Sequence, residues 1–156
     1  MVIPDISPAI PDDADALAAV YRSAYRENRE LGFPAKAESV TAAIVSTWIA
    51  EARVYVATVE DELVGGVRIE ETAPDRAKLS RLGVHEEWKG NGIGSELVDH
   101  AEQAARDRGF DTVWLTTPPE HPFLPAFYRG RGYEKTGDYP LEYRDYDEIV
   151  MEKRLR

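Results

Sequence analysis

The sequence predicts an α/β (α+β) fold built on one mixed sheet of about seven strands. Three features support this prediction: two helical segments come first, a β-hairpin follows, and then a strand, a glycine-rich loop, a long helix and another strand succeed one another. A hairpin is antiparallel, whereas a strand, a helix and a strand in succession imply a parallel crossover. The length of 156 residues suits one domain over residues 1–156.

The first third of the chain is predicted to hold a short strand and two helices. The strand lies near residues 3–9, and Pro11, Asp12 and Asp13 can open and cap a helix that runs to about residue 30. A Gly-Phe-Pro break at residues 32–34 separates it from a second helix over about residues 38–50. Apolar or small residues recur at helical spacing in both segments: Leu17, Tyr21, Ala24 and Tyr25 in the first, and Thr41, Ile44, Val45 and Trp48 in the second.

The remaining elements are predicted from runs of β-branched and aromatic residues. Residues 54–59 and 63–69 flank an acidic turn and form the hairpin. Further strands are predicted over residues 77–84, 112–116, 133–138 and 148–155, with a short helix over residues 123–129.

Composition excludes several classes of function. The chain has no cysteine, which rules out disulfides, a thiolate nucleophile and thiolate metal ligands. Its net charge of -10 would repel a nucleic acid. No stretch approaches the roughly 18 apolar residues of a membrane span, and the N-terminus shows no secretory signal pattern, so we expect no membrane partner and a cytoplasmic location.

A loop with three alternate glycines, Gly90, Gly92 and Gly94, joins a predicted strand to the long helix. Glycine lets the backbone turn tightly and bring several N–H groups close to a ligand, and the helix adds unpaired amides and its positive dipole end. Such a loop suits a pyrophosphate. An apolar stripe supports the helix, and Gly109 stands where a C-terminal glycine belongs. The stripe consists of Ile93, Leu97, Ala101, Ala104 and Ala105.

Other glycine-rich loops fit less well. A dinucleotide-binding loop would need a later third glycine or alanine where the chain has Ser95 and Glu96, and it would not normally follow a hairpin in mid-chain. A phosphate-binding P-loop would need a Gly-Lys-Ser/Thr ending, which is missing. A tight turn without any ligand is the simplest alternative.

Two motifs together resemble the GNAT superfamily of N-acetyltransferases. Leu82-Gly-Val84 followed by Lys89-Gly-Asn-Gly-Ile-Gly94 looks like the family's acetyl-CoA motif, Arg/Gln-x-x-Gly-x-Gly/Ala, with Lys89 at the Arg/Gln position. The stretch from Phe127 to Tyr133 is similar to the family's Leu/Phe-Tyr-x-x-x-Gly-Phe/Tyr element. The resemblance extends over nearly the whole chain. It implies a mostly antiparallel sheet with a central, splayed parallel pair and helices on both faces.

The resemblance also implies how acetyl-CoA would bind. The amides of the glycine loop and of Ser95 would hold the pyrophosphate, and backbone groups of Leu82 and Val84 would pair with the pantetheine arm. A histidine, His121, stands where the family often has an asparagine, seven positions before the tyrosine. The predicted cofactor-binding residues are Leu82, Gly83, Val84, Lys89, Gly90, Asn91, Gly92, Ile93, Gly94, Ser95, His121 and Tyr128.

The implied reaction moves an acetyl group from acetyl-CoA to a primary amine within a ternary complex, without a metal. Tyr128 is the candidate acid, because a phenol keeps its proton at neutral pH and the family comparison sets this hydroxyl beside the sulfur of CoA. Some members of the resembled family use a carboxylate on the strand before the loop as the base, but here that strand has none, so Glu70 and its neighbour Glu71 are the nearest candidate bases. A water relay is the alternative.

The acceptor is left open by the sequence. The acidic surface would attract a cationic acceptor such as a polyamine, an aminoglycoside or a lysine side chain, although acidic charge is also a common means of solubility. The amine would belong to a small molecule or a peptide. The alternatives are a non-catalytic acyl-CoA-binding sensor or regulatory domain of the same fold, and an enzyme that uses a longer acyl chain or a protein N-terminus. Either a monomer or a homodimer is compatible with the sequence.

Overall fold

The computed structural model describes residues 3–33, 40–140 and 147–155. The described parts contain seven strands and four α-helices. In chain order these are β1 Asp5–Pro8, α1 Ala14–Glu30, α2 Ala42–Glu51, β2 Arg53–Val59, β3 Glu62–Ala73, β4 Arg76–Val84, α3 Ile93–Asp107, β5 Thr112–Thr117, α4 Leu124–Gly130, β6 Glu134–Tyr139 and β7 Glu148–Arg154.

The seven strands form one sheet in the order β1-β2-β3-β4-β5-β7-β6. All neighbours are antiparallel except β4 and β5, which are parallel. The long helix α3 connects this parallel pair, as a crossover requires. The predicted mixed, mostly antiparallel sheet is therefore confirmed.

The parallel pair diverges toward its carboxyl end. Residues 76–78 of β4 pair with residues 112–114 of β5, and the ladder between the two strands ends there. On its other edge β4 carries one extra residue opposite Val67, because Gly66 pairs with Gly83 while Arg68 pairs with Ser80. This bulge includes a residue with left-handed backbone, Arg81, at φ +53°. The predicted splay is present and leaves a slot between the two strand ends.

Helices cover both faces of the sheet, as predicted. In β2 the side chains of Val54 and Val56 pack with the core beneath α1 and α2, whereas Tyr55 and Ala57 pack with the core beneath α3. The alternation follows from the period of two in a strand that is buried on both sides.

Two glycines in the sheet let α1 lie close to the slot. A Cβ atom on Gly66 would come within 2.6 Å of Leu17 Cδ1, and one on Gly83 within 3.0 Å of Tyr21 Cδ1. Glycine at both positions removes the atoms that would push α1 away. The next turn of α1 carries Tyr25, whose hydroxyl donates to the carbonyl oxygen of Leu82 at 2.7 Å.

The second helix differs from its prediction in two positions. Thr41 does not face the core but caps the helix, its Oγ1 accepting from the amide of Ile44 at 3.3 Å. Ile44 itself is 44% exposed, and Val45 fills the core position instead. The predicted helix start near residue 38 lies outside the described residues. Within the described parts, no helix is both long and apolar enough to cross a bilayer.

Candidate active site

A cavity of about 880 Å³ opens where β4 and β5 diverge. Its walls are the carboxyl ends of both strands, the glycine loop, α1 and α4. This is the edge of an α/β sheet at which ligands bind most often. Almost all of the predicted cofactor-binding residues line it: Leu82, Gly83, Val84, Lys89, Gly90, Gly92, Ile93, Gly94, Ser95, His121 and Tyr128.

The glycine loop has the backbone geometry of an anion-binding turn. Gly90 and Gly92 have φ of +84° and +79°, values that a residue with a side chain rarely adopts. A Cβ atom at either position would meet no atom within 4 Å, so the space beside the loop is open. Asn91 is the predicted residue that does not line the cavity. Its side-chain nitrogen donates to the carbonyl oxygen of Trp88 at 2.9 Å and thereby holds the loop in shape.

Helix α3 points its N-terminus at the same space. Gly92 is its N-cap, and the amide of Glu96 makes the first intrahelical hydrogen bond, to the carbonyl oxygen of Gly92 at 3.2 Å. The amides of residues 93–95 precede that bond and are available to an anion, which the helix dipole also favours. Lys89 anchors the loop to α1, since its Nζ donates to the carbonyl oxygen of Ala24 at 3.2 Å.

His121 is buried and both of its ring nitrogens have protein partners. Its Nδ1 accepts from the amides of Phe123 and Leu124 at 3.3 Å and 3.2 Å, which makes it a cap for the start of α4. Because Nδ1 is an acceptor, the neutral ring carries its proton on Nε2, and this nitrogen then donates to Asn28 Oδ1 at 3.1 Å. His121 thus positions α4 beside the cavity.

Tyr128, on α4, also lines the cavity, with 6% of its surface exposed. Its ring packs edge-on against Tyr133, with ring centroids 5.7 Å apart. Burial above all, and then the neighbouring Tyr25 and Glu148, raises the pKa of the Tyr128 phenol. The hydroxyl is therefore protonated across the neutral and moderately alkaline range.

The two candidate bases named from the sequence lie elsewhere. Glu70 is on β3 opposite Lys78, and its Oε1 accepts from Arg68 Nη2 at 3.5 Å. Glu71 pairs with Ala77 at the far end of the same ladder. Neither residue is among those that line the cavity.

A carboxylate that the sequence analysis missed does line the cavity. Glu148 is the first residue of β7, and because Ile149 pairs with Thr117, it lies just beyond the carboxyl end of β5. Its charge contributes to the raised pKa of Tyr128. Only the register between β5 and β7 reveals this position, and no local pattern around residue 148 encodes that register.

One buried hydroxyl at the cavity has no protein partner. The Oγ1 of Thr117, at the end of β5, has no hydrogen-bond partner among the described residues. A buried polar atom without a partner costs free energy unless a ligand or water satisfies it. The orphan hydroxyl, the open amides of the glycine loop and the enclosed slot together fit a long, polar ligand with an anionic end.

The cavity wall formed by the sheet is basic. Arg68, Lys78 and Arg81 line it, and Arg68 and Arg81 pack on Trp48 of α2. Across the ranges that the structure describes, no three His, Cys, Asp or Glu side chains come together in a group that could hold a metal ion.

Comparison with known proteins agrees with this geometry. The family model of the acetyltransferase (GNAT) family matches residues 17–133, which include most of α1, the glycine loop and Tyr128. N-acetyltransferase family 8 member 2 of Rattus norvegicus is 33% identical over 96 residues, 60% of this chain and 41% of the rat protein. The matched part thus spans about two fifths of that relative.

Two further proteins are similar over most of their length. The N-acetyltransferase YvbK of Bacillus subtilis (strain 168) is 26% identical over 114 residues, 72% of this chain and 74% of that protein. The crystal structure of the PaiA N-acetyltransferase from Thermoplasma acidophilum in complex with coenzyme A has a TM-score of 0.82 with 19% identity, covering 98% of this chain and 99% of that one. The match of the family model to three quarters of the sequence, on the elements that build the cavity, makes this chain a member of the acetyltransferase (GNAT) family.

Proposed function

We propose that this protein transfers the acetyl group of acetyl-CoA to the primary amine of an acceptor by direct attack within a ternary complex. The observation that carries the proposal is the cavity between β4 and β5, which has the glycine loop at one end and the buried phenol of Tyr128 in its wall. Members of this family use acetyl-CoA, and the family match supports the same donor here.

Backbone groups would hold the donor. The amides of the glycine loop and of residues 93–95 would bind its pyrophosphate, because they present N–H groups at a helix N-terminus. The slot beside Leu82, Gly83 and Val84 would take the pantetheine arm. The unpartnered hydroxyl of Thr117 offers a further hydrogen bond inside the slot.

The donor supplies a thioester, and the protein must handle two protons. One N–C bond forms and one C–S bond breaks, the amine nitrogen loses a proton, and the departing sulfur gains one. Tyr128 would donate the proton to sulfur, since its raised pKa keeps the phenol protonated at neutral pH and so leaves it a proton to give.

Glu148 would accept the proton from the amine, directly or through a water molecule. It lines the cavity that holds Tyr128, whereas Glu70 lies outside the cavity and accepts a hydrogen bond from Arg68. A base must reach the proton that it removes, so geometry favours Glu148 over the residue named from the sequence.

The remaining expectations stay predictions. A cationic acceptor was expected from the net charge of -10, which describes the whole surface and not the cavity. The cytoplasmic location, the single domain, and the choice between monomer and homodimer likewise rest on the sequence alone.

The proposal is tested by measuring the release of CoA thiol from acetyl-CoA with a panel of amino acids, simple amines, polyamines, aminoglycosides and peptides. We expect turnover with at least one amine, and we expect Tyr128→Phe to lower kcat by about a hundredfold or more without weakening acetyl-CoA binding. Tyr133→Phe is the matched control, because Tyr133 is also a buried tyrosine but its hydroxyl is bound to Glu102 at 2.9 Å. Tight binding of acetyl-CoA without turnover on any amine would instead indicate a sensor.

A further inference from the structure

We propose that the acceptor is a small amine that also carries a carboxylate, as an amino acid does, and that Arg68, Lys78 and Arg81 bind this carboxylate. The inference rests on the proposed function and names the substrate class for the same site. It is drawn from the charges in the cavity wall.

Two of the three cations, Arg68 and Arg81, pack on one aromatic ring. The guanidinium carbons of Arg68 and Arg81 lie 5.1 Å and 5.2 Å from the centre of the same ring, Trp48 on α2. Arg68 Nε also donates to Ser80 Oγ at 3.0 Å. Two guanidinium groups on one indole ring are a fixed pair of like charges, which is unfavourable without a counter-ion.

Lys78 continues this basic surface along β4. Its Nζ lies 5.0 Å from the ring centre of Trp114 and 5.8 Å from that of Tyr139. Burial above all lowers the pKa values of both Lys78 and Arg68, and the charge of Arg81 lowers them further. A bound anion would raise both pKa values, as the charge of Glu70 already does, because it stabilises the charged forms.

Carboxylates near the three cations balance them only in part. Glu70 accepts from Arg68, and Glu148 lines the cavity near Lys78. Arg81 has a buried Nε without a hydrogen-bond partner among the described residues. A guanidinium with a buried, unused donor is suited to a carboxylate, which accepts in the matching planar geometry.

The location of the cations sets the form of the acceptor. Arg68, Lys78 and Arg81 line the same cavity as Tyr128 and Glu148, so an anion bound to them would sit in the site of reaction. Because the cavity of about 880 Å³ must also take the reactive end of the donor, the acceptor's share suits a molecule of amino-acid size. A polyamine would meet like charges there, despite the acidic surface of the whole protein.

The test compares matched acceptors that differ by one carboxylate. Thiol release is measured with phenylalanine against phenethylamine, methionine against 3-methylthiopropylamine, and lysine against cadaverine, with spermidine as a purely cationic acceptor. We expect at least one amino acid to exceed its decarboxylated partner by about tenfold or more in kcat/KM, because a charge-assisted contact is lost with the carboxylate.

Charge-removing variants assign the effect to the cations. Arg81→Gln and Lys78→Gln should each raise KM for the preferred amino acid by about tenfold to a hundredfold, and should change KM for the decarboxylated amine little. Arg154→Gln and Lys135→Gln are the matched controls, since both residues are exposed on β7 and β6. Acetyl-CoA binding measured by calorimetry should be unchanged in all four variants, which also verifies that each one is folded.

The possible outcomes separate the two proposals. Equal rates for matched pairs, a preference for spermidine, turnover on peptides alone, or acetyl-CoA binding without turnover on any amino acid would each overturn the carboxylate inference. An equal loss in Arg81→Gln for both members of a pair would also overturn it. Failure of the wild-type protein to bind acetyl-CoA would overturn the proposed function itself, and the carboxylate inference with it.

Discussion

Tyr128 and Glu148 come from distant parts of the chain and line the same cavity. The phenol is buried, and burial raises its pKa, so it is an acid at every pH at which the protein would work. The carboxylate of Glu148 is half-buried and lines the same cavity. In the proposed reaction the phenol would donate one proton and the carboxylate would accept the other.

The assignment of the base predicts different effects for two glutamates. Glu148→Gln should lower kcat by about a hundredfold, because proton removal from the amine then depends on bulk water. Glu70→Gln should lower kcat by less than about threefold, since Glu70 itself does not line the cavity. Steady-state thiol release on the best acceptor measures both. A larger loss of kcat in Glu70→Gln than in Glu148→Gln would contradict this assignment and favour Glu70 as the base.

At the scale of single residues, the sequence predicted the groups that a local motif encodes. The glycine loop and Tyr128 lie at the cavity, because the fold converts their spacing into a strand end, a helix N-terminus and a short helix. Glu148 was missed because its position depends on pairing with a strand about thirty residues away, and local sequence does not encode such a register. Arg81 was passed over for a similar reason, since its placement follows from the bulge in β4.

At the scale of elements, an ion pair across the sheet stabilises the end at which β4 and β5 still pair. Arg76 on β4 reaches over β5 to Glu152 on β7, with an Nη1–Oε1 distance of 2.5 Å. The guanidinium of Arg76 also lies 5.9 Å from the ring centre of Trp114 on the intervening strand. A short ladder and this ion pair therefore hold β4 and β5 together at their amino ends, and the slot lies where the strands diverge beyond them.

This ion pair predicts a pH-dependent contribution to stability. A hydrogen bond from Thr136, and then Arg76, holds the pKa of Glu152 below its ordinary value, although burial opposes them. A group with a lowered pKa in the folded state stabilises the protein above its unfolded pKa and loses that effect as the pH falls through the folded value. Glu152→Gln should thus lower the free energy of unfolding by about 0.5–1 kcal/mol at neutral pH, and this loss should disappear as the pH falls through the folded pKa of Glu152.

Urea unfolding at neutral and acidic pH checks this prediction. Glu62→Gln is the control, because Glu62 is exposed at the start of β3 and should change stability little at either pH. A loss in Glu152→Gln that is the same at both pH values would contradict an electrostatic origin.

The elements themselves were largely predictable, with errors at their ends and in their roles. Four of the five residues in the predicted stripe of α3 are buried and Ala104 is partly buried, since an amphipathic period of 3.6 residues is a strong signal. Thr41 was wrongly assigned to the buried face of α2. It lies three and four residues before Ile44 and Val45, and an N-cap residue has this spacing as well as a residue within the helix.

At the scale of the whole molecule, the net charge is negative, whereas the sheet side of the cavity is positive. The chain carries 29 acidic residues against 19 lysines and arginines, yet three cations line the sheet side of the cavity. The net charge governs solubility and long-range attraction, whereas the acceptor meets the local charges at contact distance. For this reason the composition alone predicts a different acceptor from the one that the cavity wall indicates.

The central claim is that the slot between β4 and β5, with its glycine loop, binds acetyl-CoA. Ser95 in the first turn of α3 offers a sharp test of this claim. It lines the cavity, and its amide makes no hydrogen bond within the helix. An aspartate at this position should stabilise the free helix by about 0.3–1 kcal/mol through the dipole, while repelling a pyrophosphate. Ser95→Asn serves as the control, because asparagine has nearly the same size as aspartate but carries no charge.

The most direct measurement is a calorimetric titration of acetyl-CoA into the wild-type protein, Ser95→Asp and Ser95→Asn, with thermal unfolding of each variant without ligand. We predict binding by the wild type and by Ser95→Asn, and at least tenfold weaker binding by Ser95→Asp, although the aspartate variant unfolds at the same or a higher temperature. No binding by the wild type at about millimolar acetyl-CoA, or equal binding by all three proteins, would contradict the assignment of this slot as the donor site.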